Sequence, residues 1–291
     1  MKPSTLTNLI DRQPWLEPAD RALGAVAAAT LDRVGQPVRN FLHGTWLGHP
    51  LHSAITDVPV GAWSTAAVLD GIELLGHTER FAPGADAAVG VGLLGALGAA
   101  ASGLCDWSRT DRPARRVGVL HALINVSTLA CYATSWWQRR SGDRRGGMVS
   151  GMTGFLLLLA GTYLGGHLSY DERIGVDHAQ RSEGPEDWAS VMPEADLPEG
   201  QLRRASVQGT DILLVKRNGR VFALGEKCAH LGGPLAEGKI ENGSVICPWH
   251  GSRFALEDGR VLDGPALVGQ PCYEARVHDG QIEIKRRGVR G

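Results

Sequence analysis

The sequence predicts a multidomain chain: an all-α bundle of four transmembrane helices in the N-terminal half, then an all-β antiparallel sandwich in the C-terminal third. Three observations predict it. Between Ile55 and Tyr170 the chain holds four long stretches almost free of charge, each near the roughly twenty residues that cross a hydrocarbon core as a helix. From Asp171 onward short apolar and polar runs alternate around N-G and D-G dipeptides, the pattern of β-hairpins. In that second half Cys228 and His230, then Cys247 and His250, form a C-x-H, sixteen-residue gap, C-x-x-H pattern.

The bulk numbers exclude several classes. With 291 residues and a formal net charge of −1, and no long Lys/Arg run, nothing points to a nucleic-acid partner. Of five cysteines, two belong to the pattern just described, leaving Cys105, Cys131 and Cys272 in apolar settings. An odd remainder argues against a disulfide framework and favours a reducing compartment for the second half. The first eighteen residues, MKPSTLTNLIDRQPWLEP, show no basic start followed by an apolar core and no twin arginine, so no cleaved signal is expected.

The elements follow in order. Residues 1–54 form an N-terminal segment in which Ala22 to Val34 carries an apolar stripe flanked by Arg21 and Arg33. It predicts an amphipathic helix, either lying along the membrane interface or packed on the bundle. The membrane domain, residues 55–170, has spans at Val58–Gly76, Ala87–Cys105, Val117–Trp137 and Met148–Tyr170. Asp70 and Glu73 interrupt the first; Asp70 suits a proton path or a polar partner on a neighbouring helix. Small residues at four-residue spacing on the second (Gly92/Ala96, Gly95/Ala99, Gly98/Ser102) let it pack closely. The third ends in Trp136-Trp137 followed by Arg139 and Arg140, as at a headgroup belt. A soluble buried bundle is the competing reading, and the uncharged lengths exceed what one-sided burial needs.

Four spans put both termini and the loop 106–116 on one side, with Arg12, Arg21, Arg33, Arg39, Arg109, Arg112, Arg115, Arg116 and Arg173. Arg80, Arg139, Arg140, Arg144 and Arg145 fall on the other. The positive-inside rule then favours a multi-pass plasma-membrane protein with its second half in the cytoplasm. A polar connector, residues 171–188, leads to the β domain, residues 189–287. There DILLVKR, NGR and VFALG (211–225) and YEARVHDGQIEIKR (273–286) predict hairpins.

The same topology gathers ionisable groups into one layer. His49 and His52 precede the first span, His121 lies one turn into the third, His167 lies near the end of the fourth, and Asp57 and Asp106 join them. Paired imidazoles in a four-helix bundle could ligate a haem b, and His49, His52 and Asp57 could serve another metal. Hydrogen bonds to backbone carbonyls or to Asn125 are the structural alternative. His43, His77 and His178 read as surface or loop residues, and His278 beside Asp279-Gly280 as a turn.

Two thiolates and two imidazoles delivered by two short loops are what a histidine-ligated [2Fe–2S] cluster requires, although mixed Cys/His donors also suit zinc. The flanking residues CAHLGGPL (228–235) and CPWHGSRF (247–254), with Gly264-Pro265-Ala266 as a third, covering loop, closely resemble the Rieske ferredoxin family over roughly the last third of the chain. The resemblance implies cluster ligands Cys228, His230, Cys247 and His250, a Ser252 hydroxyl bonded to a cluster sulfur, and an apolar collar of Leu231 and Trp249. High-potential relatives carry an extra cysteine in each loop and a tyrosine hydroxyl. Here Gly233 or its neighbour, Trp249 and Phe254 take those places, so a potential near the low end of the Rieske range, about −150 mV, is expected.

GHPLH (48–52), Asp106-Trp107, VLHALIN (119–125) and YLGGHLSY (163–170) resemble a bacterial family of four-helix membrane domains of unknown function, over Phe41 to His178. That family often has a histidine two residues before Pro59, where this chain has Asp57. Together these features predict a membrane-anchored electron-transfer protein working between a soluble partner and a quinone or membrane cofactor. An oxygenase or reductase with its metal at the histidine layer, and a non-catalytic redox sensor, are the rivals.

Overall fold

The computed structural model describes residues 7–10, 12–111, 114–179 and 184–287. The start of the N-terminal segment, residues 1–6, and Arg112 of the basic tally lie outside the described residues. The chain divides into two compact units, Met1–Leu42 with Pro50–Ile174, and His43–His49 with Gly175–Gly291.

The first unit is helical. After a turn at 7–10 come α1 (Leu16–Leu31), α2 (Gln36–His43), α3 (Leu51–Gly76), α4 (Ala82–Trp107), α5 (Ala114–Arg140) and α6 (Arg144–Tyr170). The last four are long and apolar enough to cross a membrane. Each overruns its apolar segment, because hydropathy marks only the uncharged part while the helix continues until a stop signal. So α3 starts right after the extended Pro50 and ends at His77, whose φ of 48° is left-handed. His52 thereby falls inside the helix rather than before it.

The stripe on α1 packs on the bundle. Leu16, Ala27 and Leu31 join Cys105, Trp107, Val117, Val119 and Leu164 in one buried cluster, and Asp20 and Glu17 pair with Arg115 (2.5 Å) and Arg116 (2.8 Å) of α5. The small residues of α4 face α3. A Cβ on Gly92 would overlap the Trp63 indole, and one on Gly98 would stand 2.6 Å from Ile55 Cδ1. Close approach lets the Trp63 indole N–H reach the Val89 carbonyl at 3.3 Å while its ring stacks on Tyr132, centroids 4.0 Å apart. One tryptophan thus joins α3, α4 and α5.

An ion network holds the other end of the bundle. Arg139 of α5 donates to both oxygens of Asp70 and, at 2.9 Å, to Asp86; Arg144 of α6 donates to Glu73 and, at 2.8 Å, to Asp86. Asp70 therefore has the polar partner on a neighbouring helix. Arg139, expected to flank the tryptophan pair at the surface, has a side chain only 1% exposed. Two carboxylates, Asp70 and Asp86, draw it inward, and it is Arg140 that lies over Trp136, 4.4 Å from the ring centroid.

The second unit is two antiparallel sheets: six strands in the order β1-β10-β9-β4-β3-β2 and four in the order β5-β6-β7-β8. The strands are β1 (Ala189–Pro193), β2 (Leu202–Val207), β3 (Thr210–Arg217), β4 (Arg220–Gly225), β5 (Lys239–Glu241), β6 (Ser244–Ile246), β7 (Arg253–Ala255), β8 (Val261–Asp263), β9 (Cys272–His278) and β10 (Gln281–Arg286). Asn218-Gly219 and Asp279-Gly280 turn β3 into β4 and β9 into β10, each dipeptide with both φ positive, the twist that two-residue hairpins need. Strand β3 is apolar without alternation because it is covered on both faces. Ile212 and Leu214 pack with Ile282 and Ile284, while Leu213 and Val215 pack with Val245 and Phe254 near the loop-bearing sheet.

Candidate metal centre

Two loops with the same backbone bonding border the smaller sheet, one leading to it from β4 and one within it. Cys228 and His230 follow β4; Cys247 and His250 lie between β6 and β7. In the first loop the Cys228 carbonyl accepts Gly232 N–H (2.8 Å) and Cys228 N–H donates to the Gly233 carbonyl (2.8 Å). In the second the Cys247 carbonyl accepts Gly251 N–H (3.2 Å) and Cys247 N–H donates to the Ser252 carbonyl (2.9 Å). Gly232 and Gly251 close these turns at φ 76° and 77°, where a Cβ would be strained. The repeated wrap turns each thiol inward, with Cys228 and Cys247 buried, and leaves each imidazole half-buried. The two rings meet edge to face, centroids 4.9 Å apart.

The two free thiols are hydrogen-bonded to each other. Cys228 donating to the Cys247 sulfur pulls Cys247 down to about 7 despite its burial, and the same bond, with burial, pushes Cys228 well above the usual thiol range. Cys247 is thus the thiol that gives up its proton more readily, and metal binding has to displace the other. Ser252 is fully buried; its oxygen accepts Ala266 N–H at 3.0 Å, and its hydroxyl donates to Cys228. Phe254 beside it is fully buried and apolar. Trp249 stays 53% exposed with its ring edge-on to His250, and Leu231 is half-buried.

These donors fit two irons better than one zinc. Tetrahedral zinc draws four ligand atoms to about 2.0–2.3 Å from one point. Among the described residues the trio of metal-type donors lying within 4.8 Å of one another is His167, Asp171 and Glu172, and none of the four loop residues belongs to it. The approach is tight all the same: a Cβ on Gly233 would stand 2.9 Å from Cys247 Sγ.

Two residues here carried no sequence signal. Glu226, two positions before Cys228, is buried under the loop; burial raises its pKa, opposed by the Ala236 N–H it accepts. His43, expected at the surface, is buried at the end of α2, where a Cβ on Gly264 of the third loop would come within 3.1 Å of its Cδ2. A lone glutamate at a strand end and a lone histidine at a helix end give no pattern to read.

The histidine layer separates into parts. His52 of α3 and His121 of α5 come together, ring centroids 6.2 Å apart. His52 Nδ1 bonds the Ala99 carbonyl (2.8 Å) and His121 Nδ1 the Gly161 carbonyl (3.0 Å), while Asn125 Nδ2 reaches His121 Nε2 at 3.2 Å. His167 pairs instead with Asp171, Glu172 and Thr7. Asp57 is exposed on α3. His49 is exposed in the second unit with Nδ1 on the Leu47 carbonyl, 3.2 Å away. Within the first unit, then, His52 and His121 come together, while Asp57 and His167 lie on other faces of their helices.

Comparison with known proteins bears on both units. Residues 187–274 match the model of the Rieske [2Fe-2S] domain, and residues 48–178 match a family described as predicted membrane protein (DUF2231). The chain is 35% identical over 121 residues to apoptosis-inducing factor 3 of Homo sapiens, covering 41% of this chain and 20% of that protein; it spans about a fifth of that relative's length. It is 36% identical over 95 residues to the 3-phenylpropionate/cinnamic acid dioxygenase ferredoxin subunit of Photorhabdus laumondii, covering 32% of this chain and 90% of that one. Among solved structures it is similar to the ferredoxin of carbazole 1,9a-dioxygenase from Nocardioides aromaticivorans IC177, with 22% identity, 34% of this chain and 98% of that chain covered, and a TM-score of 0.33.

Proposed function

This chain belongs, over its C-terminal third, to the Rieske [2Fe–2S] family, and from that premise we propose a membrane-anchored protein that passes single electrons. The paired loops carry the proposal. Cys228 and Cys247 would hold one iron as thiolates, His230 and His250 the other, and Ser252 would donate its hydroxyl toward a sulfur. When bound, the cluster supplies a one-electron couple in the Rieske range. The half-buried imidazoles then stand where a partner docks, and Trp249 and Leu231 ring them with apolar surface that excludes water on contact.

Membrane anchoring is supported by the outward faces of the four long helices. Only 28–33% of each apolar window is buried, and Leu74, Leu75, Leu94, Val126 and Leu156 are 62–85% exposed. A soluble protein does not carry that much continuous apolar surface. The arginine asymmetry supports a cytoplasmic Rieske domain in a plasma membrane. The soluble partner is then a component of an oxygenase-type redox system, by likeness to the ferredoxin subunits of dioxygenases, and a quinone is the proposed membrane-side partner.

A narrower second reading adds haem b or a metal ion, and it rests on His52 and His121. A carbonyl can only accept, so both Nδ1 atoms carry the proton and both Nε2 atoms keep a lone pair, the arrangement that orients ligating imidazoles. Asn125 would have to release His121 for such a group to bind. Optical and electron paramagnetic resonance spectra of detergent-purified protein, with iron and acid-labile sulfide analysis, test both readings. Two irons and labile sulfide per chain are expected. Zinc without labile sulfide would overturn the first reading, and a spectrum lacking haem absorbance, in protein free of any further metal, the second.

A further inference from the structure

The last turn of α6 carries donors that the electron-transfer reading leaves unused. The His167 carbonyl accepts the N–H groups of Asp171 (3.0 Å) and Glu172 (3.1 Å), so the chain folds back over the helix end. That turn sets Asp171 Oδ2 3.5 Å and Glu172 Oε1 3.7 Å from His167 Nε2. Thr7 reaches the same point from the N-terminal turn: its hydroxyl lies 2.9 Å from His167 Nε2 and donates to Glu172 Oε1 at 2.9 Å. The three ligand atoms of His167, Asp171 and Glu172 lie within 4.8 Å of one another.

Among the described residues the charge there is incomplete. The side chains of His167 and Glu172 are 6% and 12% exposed, that of Asp171 33%, and among the described residues His167 is the basic group paired with both carboxylates. Two carboxylates against one imidazole leave negative charge over, and the C-terminal end of the α6 dipole adds to it. Charge held out of water without full compensation is costly. A dication would complete the balance. One imidazole with two carboxylates suits zinc, manganese or iron(II), since magnesium and calcium take oxygen donors.

We propose that His167, Asp171 and Glu172 bind a divalent transition-metal ion, with Thr7 closing the site. The ion would tie the N-terminal turn to the end of the last long helix, independently of the cluster.

The test uses full-length protein in detergent with its cluster loaded and oxidised, hence magnetically silent, equilibrated with Mn²⁺ alone and then dialysed. About one Mn²⁺ per chain is expected, with nitrogen modulation from His167 in pulsed electron paramagnetic resonance. His167→Gln should abolish that modulation, and both His167→Gln and Glu172→Gln should weaken retention at least about tenfold. An unchanged optical spectrum of the cluster certifies the fold of each variant. Wild-type protein that retains no Mn²⁺ would overturn the proposal, as would His167→Gln retaining the ion with its nitrogen modulation intact.

Discussion

The histidines of the loops and those of the bundle are one chemical group in two kinds of setting. His230 and His250 lie two and three residues after a cysteine, in loops that repeat the same pair of backbone hydrogen bonds and the same left-handed glycine. Their placement is a local property of a few residues. His52 and His121 lie on straight helices, and their rings are engaged by carbonyls of the neighbouring helices, Ala99 and Gly161. What a loop fixes by chain geometry, a bundle fixes by packing.

The largest effect expected falls on the bundle. Arg139 has a side chain 1% exposed and donates to both oxygens of Asp70, so Arg139→Ala leaves that buried carboxylate with Arg144 alone, 3.5 Å away, and should cost about 3–5 kcal/mol. Thermal unfolding in detergent measures it. The double variant Arg139→Ala, Asp70→Ala should recover part of the loss, because the buried carboxylate left short of its partner is gone. Both variants should keep the spectrum of the cluster, and a lost spectrum would break the separation between the two regions.

Next comes the loop chemistry itself. Replacing His230 by Cys puts a third thiolate on the proposed cluster, which should survive. Centres held by four cysteines sit near about −400 mV against about −150 mV at the low Rieske limit, so one exchange should lower the potential by on the order of 100 mV. Protein-film voltammetry reads the shift, and an unchanged potential would remove His230 from the ligand set.

These two variants mark how much the sequence discloses. The four long helices were legible because an uncharged stretch of about twenty residues reads as one apolar helix, and the loop donors because their spacing leaves the backbone little choice. Hydropathy could not show that Arg139 turns inward while Arg140 lies on Trp136, since both follow the same tryptophans. Nor could it show that His167 faces Asp171 while His52 faces His121, because depth says nothing about which side of a helix a residue occupies. His43 was misjudged for a related reason: its burial is set by residues more than two hundred positions away, around Gly264.

A smaller effect tests the hydrogen bond of Ser252. The Ala266 N–H holds its oxygen at 3.0 Å and orients the hydroxyl toward Cys228. A bond worth about 1.4 kcal/mol more to the reduced state amounts to about 60 mV for one electron. Ser252→Ala should lower the midpoint potential by about that amount without changing the metal content. Phe254→Tyr should raise it, provided the added hydroxyl finds a sulfur.

The smallest effect belongs to His121, and it probes the comparison from the other side. Its Nδ1 serves the Gly161 carbonyl and its Nε2 the Asn125 amide, so His121→Ala removes two contacts between groups already sheltered by helices α5 and α6. Interhelical hydrogen bonds in membrane bundles average about 0.6 kcal/mol, because the separated helices find other partners. The unfolding midpoint should therefore fall only slightly, and the iron and labile sulfide content should not change. His250→Ala, an identical substitution in a loop, should cost the cluster outright. Equal consequences from the two would mean that the bundle histidines are bound up with the redox centre after all.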